Sequence, residues 1–318
     1  MADAETDDRD FAAWDHYWRD GRLASCGGEG GAGYQSTITE GWRRFFDSLP
    51  GGIRILDVCA GNGAVARVAE AVARERGIVF SIEAFDAARL APPASGAGGA
   101  SMIHFSSRVS AEDLPYADDS FDVVVGQYGL EYTEMDRSVP ELARVSMPGS
   151  RVRLMTHARE GVVVEAARRQ LEDARRVRGS GIFEAARALA ETRADGAPEP
   201  ELQALKERYN AVVRDLEQAA ATSVEPEIYS NTCGVLTHAL SAQQQVGAGP
   251  VLDKIRETDE NVKVHEARLN AMQRAALDEA GAHALADRIA GLWQQEMRVG
   301  AGRRADDALF GWIIESKA

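Results

Sequence analysis

Short strand-like segments rich in apolar residues alternate with helix-period segments from residue 53 to residue 157. Ile53–Val58, Ile78–Phe85, Met102–Phe105, Phe121–Gln127 and Arg151–His157 read as five buried strands. Between them, Ala64–Arg76 and Val139–Val145 carry apolar residues at helical spacing, the second stopping before Pro148-Gly149. Strand and helix alternation of this kind predicts a parallel sheet covered by helices on both faces.

After residue 160 the strand pattern disappears. Val162-Val163, Ala166-Ala167, Gln170-Leu171, Ala174 and Val177 keep helical spacing, as do Leu202, Leu205, Tyr209 and Val212-Val213. Breaks fall at Gly179-Ser180-Gly181 and Gly196-Ala197-Pro198. A last helix ends near Ala290-Gly291, and Leu292–Val299 with Leu309–Ser316 then predicts two strands joined by the polar loop Gly300–Asp307. The chain therefore divides into an N-terminal segment 1–50, an α/β core 51–160, an all-helical insertion 161–265, and a closing helix and hairpin 266–318. The fold class is α/β, a doubly wound, Rossmann-like sheet of seven strands, five parallel and two in an antiparallel hairpin. No repeat is visible.

Ahead of the core, Phe11, Trp14, Tyr17 and Trp18 precede a glycine cluster over 27–33, too rich in glycine for a regular element, and a helix predicted over Thr39–Leu49. Composition adds mainly exclusions. Among 318 residues, 45% are hydrophobic and 27% charged, which suits a folded chain with a sizeable core. The net charge is −14, and pairs such as Arg168-Arg169 and Arg303-Arg304 sit among carboxylates, so a nucleic-acid partner is not expected. Cys26, Cys59 and Cys233 form neither a disulfide framework nor a metal motif, and the scattered histidines add no ligand spacing. An acidic start without a secretory pattern, and no apolar run of membrane length, lead to the expectation of a cytoplasmic protein without a membrane or metal partner.

The chemistry concentrates in Asp57-Val58-Cys59-Ala60-Gly61-Asn62-Gly63, where a strand ends on a carboxylate and passes through small residues into a helix. Such a turn lets a nucleotide-like ligand approach backbone N–H groups. Neither G-x-G-x-x-G nor Gly-Lys-Ser/Thr is present, so no pyrophosphate or triphosphate fingerprint is matched. At the end of the second strand, Glu83 or Asp86 can accept bonds from ribose hydroxyls, with Asp86 the better placed because it terminates the strand. Asp86 equally suits a helix cap.

The heptad resembles motif I of the class I S-adenosylmethionine (SAM) dependent methyltransferases, D-x-G-x-G-x-G, with Cys59 replacing the first glycine. Residues 109–128, from Val109-Ser110-Ala111-Glu112-Asp113-Leu114-Pro115 to Gln127-Tyr128, resemble the pattern A-E-x-L-P-F-x-D-x-S-F-D-x-V of the ubiquinone and menaquinone C-methyltransferase branch. The resemblance implies SAM as cofactor, held by the turn residues Asp57, Cys59, Ala60, Gly61 and Gly63. It further implies Asp86 at the ribose, Ser110 and Ala111 at the adenine edge, Gln127 near the methionine part, and Ala87 and Glu112 among the cofactor-binding residues. Asp122 is read as structural. The closing hairpin is the usual ending of that fold, and the segment before strand 1, with Trp14, Tyr17, Trp18 and the glycine cluster, is where such proteins place a lid.

Methyl transfer from a sulfonium is an in-line displacement whose leaving group needs no proton. Candidate catalytic residues are those at the ends of strands 4 and 5: Tyr128, Glu131, Tyr132 and His157, of which His157 has the ionisation range of a general base. The expected reaction transfers a methyl group to a small organic acceptor. An inactive methyltransferase-fold binding protein and a protein methyltransferase are the alternatives. The helical insertion can cap the acceptor, form a homodimer interface, or both; Ile182, Phe183, Tyr209, Tyr229 and Leu236 suit acceptor contact or a helical core.

Overall fold

The computed structural model describes residues 13–19, 21–23, 36–93, 102–223 and 226–317. Cys26 and the glycine cluster over 27–33 lie outside the described residues. Described residues up to Glu165, together with those from Ala271 onward, form one compact unit, and Ala166–Asn270 forms another.

The first unit is built on a seven-stranded sheet. Its strands are β1 (Ile53–Val58), β2 (Phe80–Asp86), β3 (Met102–Ser107), β4 (Phe121–Gln127), β5 (Ser146–His157), β6 (Met297–Arg303) and β7 (Leu309–Ser316). They are ordered β3-β2-β1-β4-β5-β7-β6. The first five run parallel, and β7 lies antiparallel between β5 and β6. Alternate residues of each central strand feed different cores. Ile55, Val123 and Val125 pack with Trp42 and Phe46 of α2 (Ser36–Asp47) and Val65, Ala69 and Val72 of α3 (Ala64–Arg76). Leu56, Val58 and Val124 pack instead with Leu142 of α4 (Met135–Val145) and with Leu285 and Ile289 of α10 (Glu279–Trp293). That double burial explains why consecutive apolar residues, Ile55-Leu56 in β1 and Val123-Val124-Val125 in β4, occupy the middle of each strand. Residues 13–19 are helical and are called α1.

Several boundaries depart from the sequence-based expectation, β5 for one starting at Ser146 rather than Arg151, and two departures have a local cause. Helix α4 starts at Met135, not Val139, and contains Pro140. Proline offers no N–H to the Asp136 carbonyl one turn back, and Arg288 Nη2 donates to that carbonyl at 3.0 Å instead. The other departure is at β6, which begins at Met297 because Leu292 and Trp293 complete α10. There Gln294, at φ 51°, ends the helix, while Trp293 Nε1 donates to Ser150 Oγ at 3.0 Å.

Helices α5 (Val162–Gly179), α6 (Ile182–Ala194), α7 (Glu199–Ala220), α8 (Glu227–Val246) and α9 (Ala248–Ala275) build the second unit. Ile182, Phe183, Tyr209, Tyr229 and Leu236 are all buried in its interior. Tyr229 donates to Asp173 at 2.6 Å, and Tyr209 pairs with Thr237 at 2.9 Å, so both phenols are committed within this unit. Among the described residues no helix is long and apolar enough to cross a membrane.

Candidate active site

The turn after β1 is held by carboxylates that are themselves buried. Asp57 accepts from Ala66 N through Oδ2 at 3.0 Å, tying the strand end to the first turn of α3. Its Oδ1 is buried with no hydrogen-bond partner among the described residues. Burial pushes the Asp57 carboxyl up to about 8; the Ala66 N–H opposes this, and the Asp86 charge adds to it. Asp86, ending β2, accepts from Gly61 N at 2.9 Å and from Ala88 N at 2.8 Å. Its carboxyl rises to about 6, again through burial, with the two backbone N–H groups limiting the rise.

A raised carboxylate pKa means that the folded protein holds a proton the unfolded chain has released. For Asp57 the folded value is about 8 against 3.8 for the ordinary group, so folded stability falls as pH rises between those limits. Asp57→Asn keeps an acceptor for Ala66 N and removes the ionisation. Its melting temperature is therefore expected to decline less than that of the unsubstituted protein between pH 5 and pH 8 (roughly the window of a buried carboxylate). Equal slopes in a thermal-shift series would place the pH dependence elsewhere.

Backbone geometry explains the residue types of the turn. Cys59 has φ 51°, a left-handed conformation in which glycine is the unstrained choice. Gly129 makes room for it, since a Cβ there would come within 2.3 Å of the Cys59 Cβ. Its thiol is kept protonated by burial and by the carboxylates of Asp86, Glu112, Glu131 and Asp57, so it is no nucleophile. Gly63 has φ +84°, and a Cβ would meet the Phe105 ring at 2.5 Å.

A cavity of about 470 Å³ opens at the C-terminal ends of the parallel strands. It lies where the chain order reverses, with β2 on one side of β1 and β4 on the other. This is the position at which doubly wound sheets bind ligands. Its wall comprises Cys59 and Ala60, Asp86 and Ala87, residues 108–112, Gln127 to Gly129, Tyr132 to Glu134, Arg137, and Trp14 and Trp18 of α1. Gln127 is fixed by a hydrogen bond from Trp42 Nε1 to its Oε1, while its Nε2 is buried with no hydrogen-bond partner among the described residues. Glu112 bridges the wall, accepting from Glu134 N at 2.8 Å and from the Ser110 hydroxyl.

Cys59, Ala60, Asp86, Ala87, Ser110, Ala111, Glu112, Gln127 and Tyr128, all named from sequence, thus meet around one space. Asp57, Gly61 and Gly63 are outside that lining and shape the turn behind it. Glu83 is turned away to pair with His104 on β3 at 2.7 Å. Asp122 accepts from Arg54 N at 2.8 Å, a bond between strands.

The expected strand-end chemistry needs a correction. Neither Glu131 nor His157 lines the cavity. Both side chains are fully buried, with Glu131 Oε1 accepting from His157 N at 2.8 Å and paired with His157 Nδ1 at 2.7 Å. His157 stacks under the Tyr128 ring, centroids 4.2 Å apart. Tyr128 is therefore the wall residue, carried by a buried pair. Its backbone sits at φ 55°, and its hydroxyl donates to Phe310 O on β7 at 3.0 Å. Sequence reasoning also missed Asn62, Arg108, Thr133, Glu134, Arg137 and the Trp42 bond. Only the motif heptad offered a signal, and that for Asn62 alone. Among the described residues no three His, Cys, Asp or Glu side chains are grouped to hold a metal ion.

Residues 56–154 match a family model described as a methyltransferase domain. The ubiquinone/menaquinone biosynthesis C-methyltransferase of Geotalea daltonii is 37% identical over 127 residues, 36% of this chain and 51% of that protein. The chain thus spans about half the length of this curated relative. Among solved structures, a SAM-dependent methyltransferase from Mesorhizobium loti aligns at 24% identity over 37% of this chain and 52% of its own, with a TM-score of 0.28. Another from Aquifex aeolicus aligns at 17% identity over 38% and 65%, with a TM-score of 0.29. With its sheet order, its turn at the switch point and the match over residues 56–154, the chain carries a methyltransferase domain.

Proposed function

We propose that this protein is a SAM-dependent methyltransferase that acts on a small organic acceptor by in-line displacement. The observation that carries the reading is the donor and acceptor set of the cavity wall. Asp86 offers carboxylate oxygens where ribose hydroxyls can donate, and Gln127 brings a buried amide nitrogen with no partner among the described residues, suited to a carboxylate. Ser110, Ala111 and Glu112 supply the edge suited to adenine. When bound, SAM supplies an activated methyl group on a sulfonium. A cavity of about 470 Å³ is in the range of small-molecule sites, in keeping with a cofactor of this size.

The chain's own residues then bind, orient and exclude water. Trp14, Trp18 and Tyr132 give the wall an aromatic side, with Trp14 and Tyr132 edge to face at 5.6 Å. Alignment of the acceptor, not proton transfer, supplies the rate in this reading. His157 serves by supporting Tyr128 from below. His157→Ala is expected to lower turnover roughly tenfold, through a disordered Tyr128, without changing the shape of the pH profile. Loss of a limb near neutral pH would instead make His157 the base.

Titration calorimetry with S-adenosylhomocysteine, paired with thermal shift, tests the cofactor reading directly. Saturable heat and a concentration-dependent rise in melting temperature are expected. Neither signal at millimolar ligand would end the proposal.

A further inference from the structure

The amide of Asn62, in the middle of the glycine turn, is fully buried and has every hydrogen-bonding group in use. Its Nδ2 donates to Trp18 O at 3.0 Å and to Arg22 O at 2.7 Å, while its Oδ1 accepts from Ala91 N at 2.9 Å. One side chain thereby joins the loop after β1, the loop after β2, and the end of the segment that contributes Trp14 and Trp18 to the cavity wall. The indole of Trp18 lies against the same turn, so closely that a Cβ on Gly61 would meet its ring at 2.5 Å. At the other end of α1, Asp15 accepts from Arg89 N at 2.6 Å and pairs with Arg108, a wall residue.

From this geometry we infer that Asn62 is a positioning residue, the latch that fastens α1 over the cofactor loop, and that release of bound nucleoside is limited by its opening. The inference rests on the cavity being the cofactor site. Two donors aimed at carbonyls of the α1 segment, and one acceptor spent on the neighbouring loop, match an amide and no other side chain of that size. Because Asn62 belongs to the turn that faces the ligand, movement of the turn moves the latch. The aromatic wall and the cofactor loop then open as one body, with Asp15 as a second, more exposed fastening.

The test uses the full chain with Asn62→Ala, Asp15→Ala and the double variant, and has two readouts. Hydrogen exchange without ligand, followed at residues 13–19, is expected to accelerate in each single variant while the central strands keep their protection. Stopped-flow tryptophan fluorescence is expected to give a dissociation rate for S-adenosylhomocysteine at least about tenfold faster in each single variant. The double variant should be no more than about twofold faster than the more severe single one, since one element is being released. Unchanged exchange at 13–19 in Asn62→Ala, or rate effects that multiply in the double variant, would overturn the latch. If the alanine variant does not fold, Asn62→Asp keeps the acceptor for Ala91 N, sets a carboxylate oxygen in place of the two donors to the α1 segment, and is held to the same outcomes. Exchange is read without ligand, so a protein that binds no S-adenosylhomocysteine fails the cofactor reading while the latch is still judged on its own.

Discussion

Asp86→Ala is expected to weaken S-adenosylhomocysteine binding by roughly a hundredfold to a few thousandfold, measured by calorimetry near pH 7.5 (about one and a half units above the carboxyl's ionisation). Two hydroxyl groups donating to one carboxylate contribute about 3 to 5 kcal/mol together, and each 1.4 kcal/mol is about a factor of ten in affinity. The truncation also removes the acceptor of Gly61 N and Ala88 N, so the turn loses its tie to β2. The pH dependence has a definite sign. The Asp86 carboxyl ionises near 6, and the ionised form is the stronger acceptor, so affinity rises as pH rises through about 6 and levels off above it. In Asp86→Ala that rise disappears. An affinity within a few fold of the unsubstituted protein, or an unchanged pH dependence, would remove Asp86 from the ligand.

Glu131→Ala is expected to cost about 3 kcal/mol of stability and to lower the melting temperature by roughly 5 °C or more in a thermal-shift measurement. The reason is the complete burial of the pair. Glu131 Oε1 is acceptor both to the His157 backbone N–H and to its Nδ1, and neither side chain reaches solvent. Removing the carboxylate leaves two buried groups of His157 without that acceptor, the costly arrangement for polar groups. Glu131→Gln keeps an acceptor oxygen of the same reach and is expected to recover most of the loss. Turnover should follow stability in this pair, because Tyr128 rests on His157. A Glu131→Ala protein that melts like its parent would mean that the pair contributes nothing to holding the cavity floor.

The sheet was legible in the sequence wherever burial on both faces leaves consecutive apolar residues, as in Ile55-Leu56 and Val123-Val124-Val125. It was misread where an apolar pair continues a helix, as Leu292 and Trp293 do, because periodicity cannot tell the last turn of a helix from the first residues of a strand. Pro140 hid the first turn of α4 for a different reason: the arginine that satisfies the freed carbonyl is 152 residues away in the chain. The turn residues could be read because their spacing is local and their φ angles demand small side chains. Which way Glu131 and His157 face could not, since adjacency to a strand end does not decide between the cavity and the layer beneath it. For Asn62 the heptad marked the position but not the role: its partners come from segments separated by 29 to 44 positions, and nothing in its own surroundings names them.

The hydrogen bond from Tyr128 to Phe310 spans 182 positions of the chain. Every strand-end residue from Asp57 to His157 is translated long before β7 exists to fill the gap between β5 and β6. A nascent chain can assemble the turn, the carboxylates and the Glu131–His157 pair, yet the bond from the Tyr128 hydroxyl to the Phe310 carbonyl cannot form until residues 309–316 arrive. Competence to hold a ligand firmly is thus deferred to a late event in biogenesis, governed by a contact of high sequence separation and therefore slow to form.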